Sequence, residues 1–145
     1  MSKPSQMQIE AVRRFNRFYT REVGALRKNF LDTPWSLAEM RVLFEIANGE
    51  GVTASDVGRA LDLDAAYVSR LLARFEKEGL IARTRSEADG RVVFLRLSAK
   101  GERVFTAANA RQAANTTETL ARLAPAERAK LVDAMETIID LLERG

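Results

Sequence analysis

The stretch that decides the fold is Thr53–Gly101, TASDVGRALDLDAAYVSRLLARFEKEGLIARTRSEADGRVVFLRLSAKG. Thr53 with Asp56 three residues later spells a capping box, which opens a short helix through Val57 and Ala60 to Leu61. Asp62-Leu63 makes a tight turn. Asp64 can then cap another helix, whose apolar residues Val68, Leu71, Leu72 and Phe75 fall at i, i+3, i+4 and i+7 until Gly79 stops it. Two short helices meeting at a brief turn outline a helix-turn-helix unit. Leu80–Arg85 and Arg91–Leu97 then read as strands around the turn Ser86-Glu87-Ala88-Asp89-Gly90.

A hairpin directly after a helix-turn-helix unit is the wing of a winged helix. With the four apolar residues facing inward, the 100° step per residue places Ala66, Arg70, Ala73 and Lys77 outward, flanked by Tyr67, Arg74 and Ser69. Alanines let a helix backbone approach a surface closely, and arginines reach guanine edges or phosphates from a major groove. A solvated helix face with ordinary surface arginines fits the same residues. The hairpin adds Arg83, Arg85, Arg91 and Arg96, and arginine is favoured in the negative potential of a minor groove.

Working outward, Ile9, Val12, Asn16, Tyr19, Val23, Leu26 and Phe30 alternate steps of three and four, with Phe15 and Phe18 on a flank. This pattern predicts one helix of roughly 33 Å at 1.5 Å per residue, longer than so small a domain needs, and so part of a seam with a second chain. Asp32-Thr33-Pro34 breaks it. Ser36 and Glu39 form a capping box stapled by Trp35 and Met40, and the helix they open presents Met40, Leu43, Phe44 and Ala47 until Asn48-Gly49. Ser98 caps a helix through Val104, Phe105, Ala108 and Leu120, and Pro125 opens a last one striped by Leu131, Met135, Ile138, Ile139 and Leu142.

At 145 residues the chain has room for one modest domain. Hydrophobic residues at 46% and charged residues at 30% are globular proportions. With no cysteine and no histidine, disulfides, thiolate or imidazole catalysis and Cys/His zinc sites are excluded. No acid pair stands out, so a non-enzyme without catalytic residues, metal or cofactor is expected. No apolar run approaches a membrane span and the N-terminus is polar, which predicts a cytoplasmic protein with no membrane partner.

Thr53–Gly101 closely resembles the winged helix of the MarR family of bacterial transcription regulators. The pieces that carry the resemblance are Val68-Ser69-Arg70-Leu71-Leu72, Phe75-Glu76-Lys77-Glu78-Gly79-Leu80-Ile81, Asp89-Gly90-Arg91 and Leu97-Ser98-Ala99-Lys100-Gly101. The resemblance implies a mainly α fold with a small β-hairpin wing. It also implies one MarR-like domain over 1–145, in which 36–101 is the winged helix-turn-helix and 1–35 and 102–145 are dimerisation helices. Ala66, Tyr67, Ser69, Arg70 and Arg74 would lie on the recognition helix, Arg91 would be the wing-tip arginine, and Asp89 would brace it. Thr53 and Ser55 would offer phosphate contacts. Two departures are the missing thiol switch and Ala124, which stands where a Ser or Thr cap is common.

The function that follows is a homodimeric regulator, a repressor that binds double-stranded DNA at a palindromic operator and is released by a small-molecule effector. Arg14, Tyr19, Trp35, Met40 and Phe44 are candidates for the effector pocket, and each also fits a surface or core role. Phe15–Asn48 further resembles the regulator half of proteins in which such a domain precedes an N-acetyltransferase domain. A regulatory or dimerisation module of such a larger protein is therefore the alternative.

Overall fold

A computed structural model describes residues 2–145. The elements run α1 (Gln6–Glu22), α2 (Leu37–Asn48), α3 (Ala54–Leu61), α4 (Ala65–Lys77), β1 (Ile81–Arg85), β2 (Val93–Leu97), α5 (Ala99–Ala121) and α6 (Pro125–Glu143). The order and the antiparallel hairpin are those of a winged helix-turn-helix flanked by further helices. The chain divides into two compact units, one up to Ala108 and one from Asn109.

In the first unit the core gathers α2, α3, α4 and the hairpin. Val57, Val68, Leu71, Leu72 and Phe75 are all buried, as the spacing of the two helices requires, and they close on Val42, Leu43, Ile46, Leu80, Leu95 and Leu97. Full burial of a side chain such as Leu72 or Phe75 contributes about 1.5–3 kcal/mol. The hairpin pairs Ile81 with Leu97 through Arg85 with Val93. Val52 adds an unforeseen one-residue bridge, accepting the Leu95 N–H at 2.7 Å. A single paired residue between Gly51 and Thr53 has no alternation to betray it.

Two expectations are corrected. The first helix does not continue to Phe30 but ends at Glu22, because Gly24 turns left-handed (φ 73°). The Ala25 N–H then reaches the Thr20 carbonyl and the Gly24 N–H the Arg21 carbonyl, both at 3.1 Å, which is a Schellman stop. Phe30 joins the core separately, through a turn in which its N–H donates to the Trp35 carbonyl at 2.6 Å. On α2 the buried residues are Met40, Val42, Leu43 and Ile46, while Phe44 is exposed and meets the edge of Phe105 at 6.1 Å. α2 is covered by both α3 and β2, so its inner face is rotated from a single-sided stripe.

α1 buries none of its residues. Ile9, Val12, Phe15, Phe18 and Tyr19 stand exposed, with Phe15 and Tyr19 stacked at 5.5 Å. In the second unit α6 likewise exposes Val132, Met135, Ile139, Leu141 and Leu142. Its cap residue Ala124 makes no side-chain hydrogen bond. Glu127 accepts the Ala124 N–H at 2.9 Å instead, and Arg128 closes the turn by donating to the Leu120 and Leu123 carbonyls.

Candidate nucleic-acid interface

α4 begins where the Asp64 carboxylate accepts the Tyr67 N–H at 3.3 Å. Its apolar stripe is consumed by the core, so its other faces must meet solvent. Ala66, Ser69, Arg70 and Ala73 are exposed and Tyr67 is half-buried on the flank. This surface is small in its side chains, hydroxylated and cationic, the combination that fits a helix to a groove edge.

The preceding helix is held by a reciprocal cap. Thr53 Oγ1 accepts the Asp56 N–H at 3.2 Å, and Asp56 Oδ2 accepts the Thr53 N–H at 2.9 Å. That backbone bond, then the Thr53 hydroxyl and nearby Arg59, hold the Asp56 carboxyl below its ordinary value. The Thr53 N–H is thus committed within the chain. Ser55, two residues on, is exposed.

Arg74 is placed differently from Arg70. Its guanidinium lies 4.4 Å above the centre of the Trp35 ring, pairs with Glu39 on α2, and reaches Glu78 at 3.8 Å. Glu39 was visible in sequence only as a capping residue. Its role as a partner across 35 positions carries no local signal.

At the hairpin tip the Asp89 carboxylate accepts the Arg91 backbone N–H at 3.0 Å and the Arg91 side chain at 3.2 and 3.4 Å. The guanidinium, then the backbone N–H, hold the Asp89 carboxyl below its ordinary value. Arg91 remains 92% exposed, braced yet open to a partner. Arg85 donates to the Gly90 carbonyl at 2.7 Å, and Arg83 pairs with Glu76 of α4 at 3.0 Å. Those two arginines thus support the wing rather than standing free. Arg96 is exposed, alternating with buried Leu95 and Leu97.

The five pocket candidates differ in burial. Trp35 and Met40 are closed into the core, Trp35 against Phe75 at 5.0 Å, and Phe44 faces Phe105. Arg14 and Tyr19 are exposed on α1. A small open cavity of about 150 Å³ lies elsewhere, lined by Glu39, Tyr67, Arg70, Leu71 and Arg74. Among the described residues no cluster of acids has metal-site geometry, and no helix is long and apolar enough to cross a membrane.

Residues 34–92 match the MarR family model. The HTH-type transcriptional regulator MgrA of Staphylococcus aureus is 38% identical over 94 residues, 65% of this chain and 60% of MgrA. The HTH-type regulator YdgJ of Bacillus subtilis is 25% identical over 100 residues, 69% of this chain and 61% of YdgJ. The chain therefore spans about three fifths of the length of these relatives. The crystal structure of Streptococcus pneumoniae FabT in complex with DNA superposes with a TM-score of 0.72 at 27% identity, covering 96% of each chain.

Proposed function

We propose that this chain is a winged helix-turn-helix regulator of the MarR family, acting as a homodimeric, sequence-specific DNA-binding transcription regulator. The observation that carries the reading is the two-sided character of α4. Val68, Leu71, Leu72 and Phe75 are committed to the core, and the opposite face exposes Ala66, Ser69 and Arg70. Arg70, exposed at the cavity it shares with Glu39 and Arg74, reads a base edge in the major groove, with Tyr67 flanking it. Thr53 and Ser55 contact phosphate from the start of α3, and Arg91, held by Asp89, enters the minor groove from the wing. Residues 36–101 form the reading head.

The flanking segments 1–35 and 102–145 supply dimerisation helices. Their exposed apolar residues, Ile9, Val12, Phe15 and Phe18 in α1 and Val132, Ile139 and Leu142 in α6, are more than a soluble monomer ordinarily leaves in water. A two-fold dimer reads a palindrome with half-sites one DNA turn apart, roughly 34 Å. A small-molecule effector would release the operator by favouring a different separation of the two reading heads, so that effector and DNA oppose each other. On this reading the protein is a repressor and has no catalytic activity.

Selection from random duplex DNA with the purified protein tests this. Enrichment of a palindromic site, with affinity falling steeply as salt rises, supports the proposal. Recovery of no preferred sequence overturns it.

A further inference from the structure

We propose that Arg74 is a positioning residue: it locks the rotation of the recognition helix against α2 and so aims Arg70, without itself contacting DNA. The inference rests on the reading of α4 as a recognition helix and assigns a role inside it.

The geometry gives Arg74 three intramolecular commitments. Its guanidinium stacks on Trp35, a residue only 4% exposed whose ring is itself held edge-on by Phe75 at 5.0 Å. It pairs with Glu39, whose side chain is only 12% exposed, so this ion pair is less screened than an ordinary surface pair. It also reaches Glu78 at 3.8 Å. Glu39 is in turn fixed, because its other carboxylate oxygen accepts the Ser36 N–H at 2.8 Å at the cap of α2. A continuous chain of contacts thus runs from the N-terminus of α2 through Glu39 to Arg74 on α4. Arg70 lies one turn earlier on α4 and lines the same small cavity as Glu39 and Arg74. Any rotation of α4 that re-aimed Arg70 would have to break the Arg74 contacts. A planar guanidinium can stack and pair at once, whereas a lysine ammonium can pair but cannot form the same stack.

The test measures affinity for the selected operator across a range of salt for wild type, Arg74→Lys, Arg74→Ala, Glu39→Gln and the double variant Arg74→Ala/Glu39→Gln, with thermal melts of each. A positioning role predicts that Arg74→Ala, Arg74→Lys and Glu39→Gln each weaken operator binding about tenfold and leave non-specific binding and the salt slope unchanged, and that Arg74→Ala and Glu39→Gln combine non-additively in the double variant. Glu39→Gln is the decisive variant. Removing an acid beside the DNA-facing surface should tighten binding if Arg74 were a phosphate contact, and loosen it if Arg74 is a brace. If any Arg74 variant proves unstable, Glu39→Gln alone still decides the sign. Tighter or unchanged operator binding by Glu39→Gln, or a salt slope lowered by about 1 in Arg74→Ala, overturns the assignment while leaving the function intact. A wild-type protein that selects no DNA overturns the function and this assignment together.

Discussion

Gly101 of α5 lies against the Leu80 carbonyl so closely that a Cβ at position 101 would overlap that oxygen. The contact belongs to a small clasp at the root of the wing. The Ser98 hydroxyl donates to the Gly79 carbonyl at 2.5 Å and accepts the Gly101 N–H at 3.0 Å, while Lys100 donates to the Glu78 carbonyl at 2.9 Å. The end of α4, the start of β1 and the start of α5 are thereby tied at one point. Gly101→Ala is expected to force these backbones apart and to destabilise the chain by about 1–3 kcal/mol, the usual cost of overpacking. Chemical denaturation checks this, and an unchanged midpoint would show that the clasp yields freely.

Arg70→Ala should weaken operator binding by about 1–3 kcal/mol and relax the base preference at one position of each half-site. Because Arg70 is exposed, the melt should not move. Titration against the operator and its single-base variants reads both effects. Equal affinities for all variants in wild type and mutant would remove Arg70 from base reading.

Arg91→Ala should leave the thermal melt nearly unchanged, as substitutions of exposed side chains do, yet lower DNA affinity and reduce the salt slope by about 1. Asp89→Ala should lower affinity less, since it loosens the turn but keeps the cation. An unaltered titration with Arg91→Ala would leave the wing a purely structural role.

The depressed Asp89 carboxyl makes a prediction about acid. A carboxyl whose folded pKa lies below its ordinary 3.8 stabilises the turn fully above that value and loses the contribution as pH falls through the lower, folded pKa. The wing brace is therefore insensitive to pH near neutrality and releases only in strong acid. Since the Arg91 side chain is the largest cause, Arg91→Ala should raise the Asp89 pKa part of the way back toward 3.8, with the backbone N–H keeping the remainder. Carboxyl-carbon NMR titration of both proteins measures it, and identical midpoints would disprove the side-chain bond.

Phe15→Glu in α1 and Ile139→Glu in α6 place charges on exposed apolar positions, so neither should unfold the chain that carries it. Each should shift the protein from dimer to monomer in sedimentation. Operator affinity should fall as well, because two linked half-site contacts become one. Wild type sedimenting as a monomer at micromolar concentration would contradict the dimer.

Local chemistry wrote much of this molecule directly into the chain. The reciprocal caps at Ser36/Glu39 and Thr53/Asp56 and the 3.6-residue stripe of α4 involve partners within one or two turns, as does the Asp89-Gly90-Arg91 tip. Residue type and spacing therefore sufficed to place the helix-turn-helix and its wing, with Arg70 on the exposed side of α4 and Arg91 at the hairpin tip. The stop at Gly24 is also local, but an apolar repeat that runs past it to Phe30 masks the signal of one glycine. What tertiary structure alone decided involves partners far apart in sequence. Glu39 meets Arg74 across 35 positions, Val52 bridges Leu95, and the covering of α2 by α3 and β2 turns Ile46 inward and leaves Phe44 outside. Sequence spacing specifies which face of a helix is apolar; which of two cations on a neighbouring face is left free depends on what the fold carries up beside it.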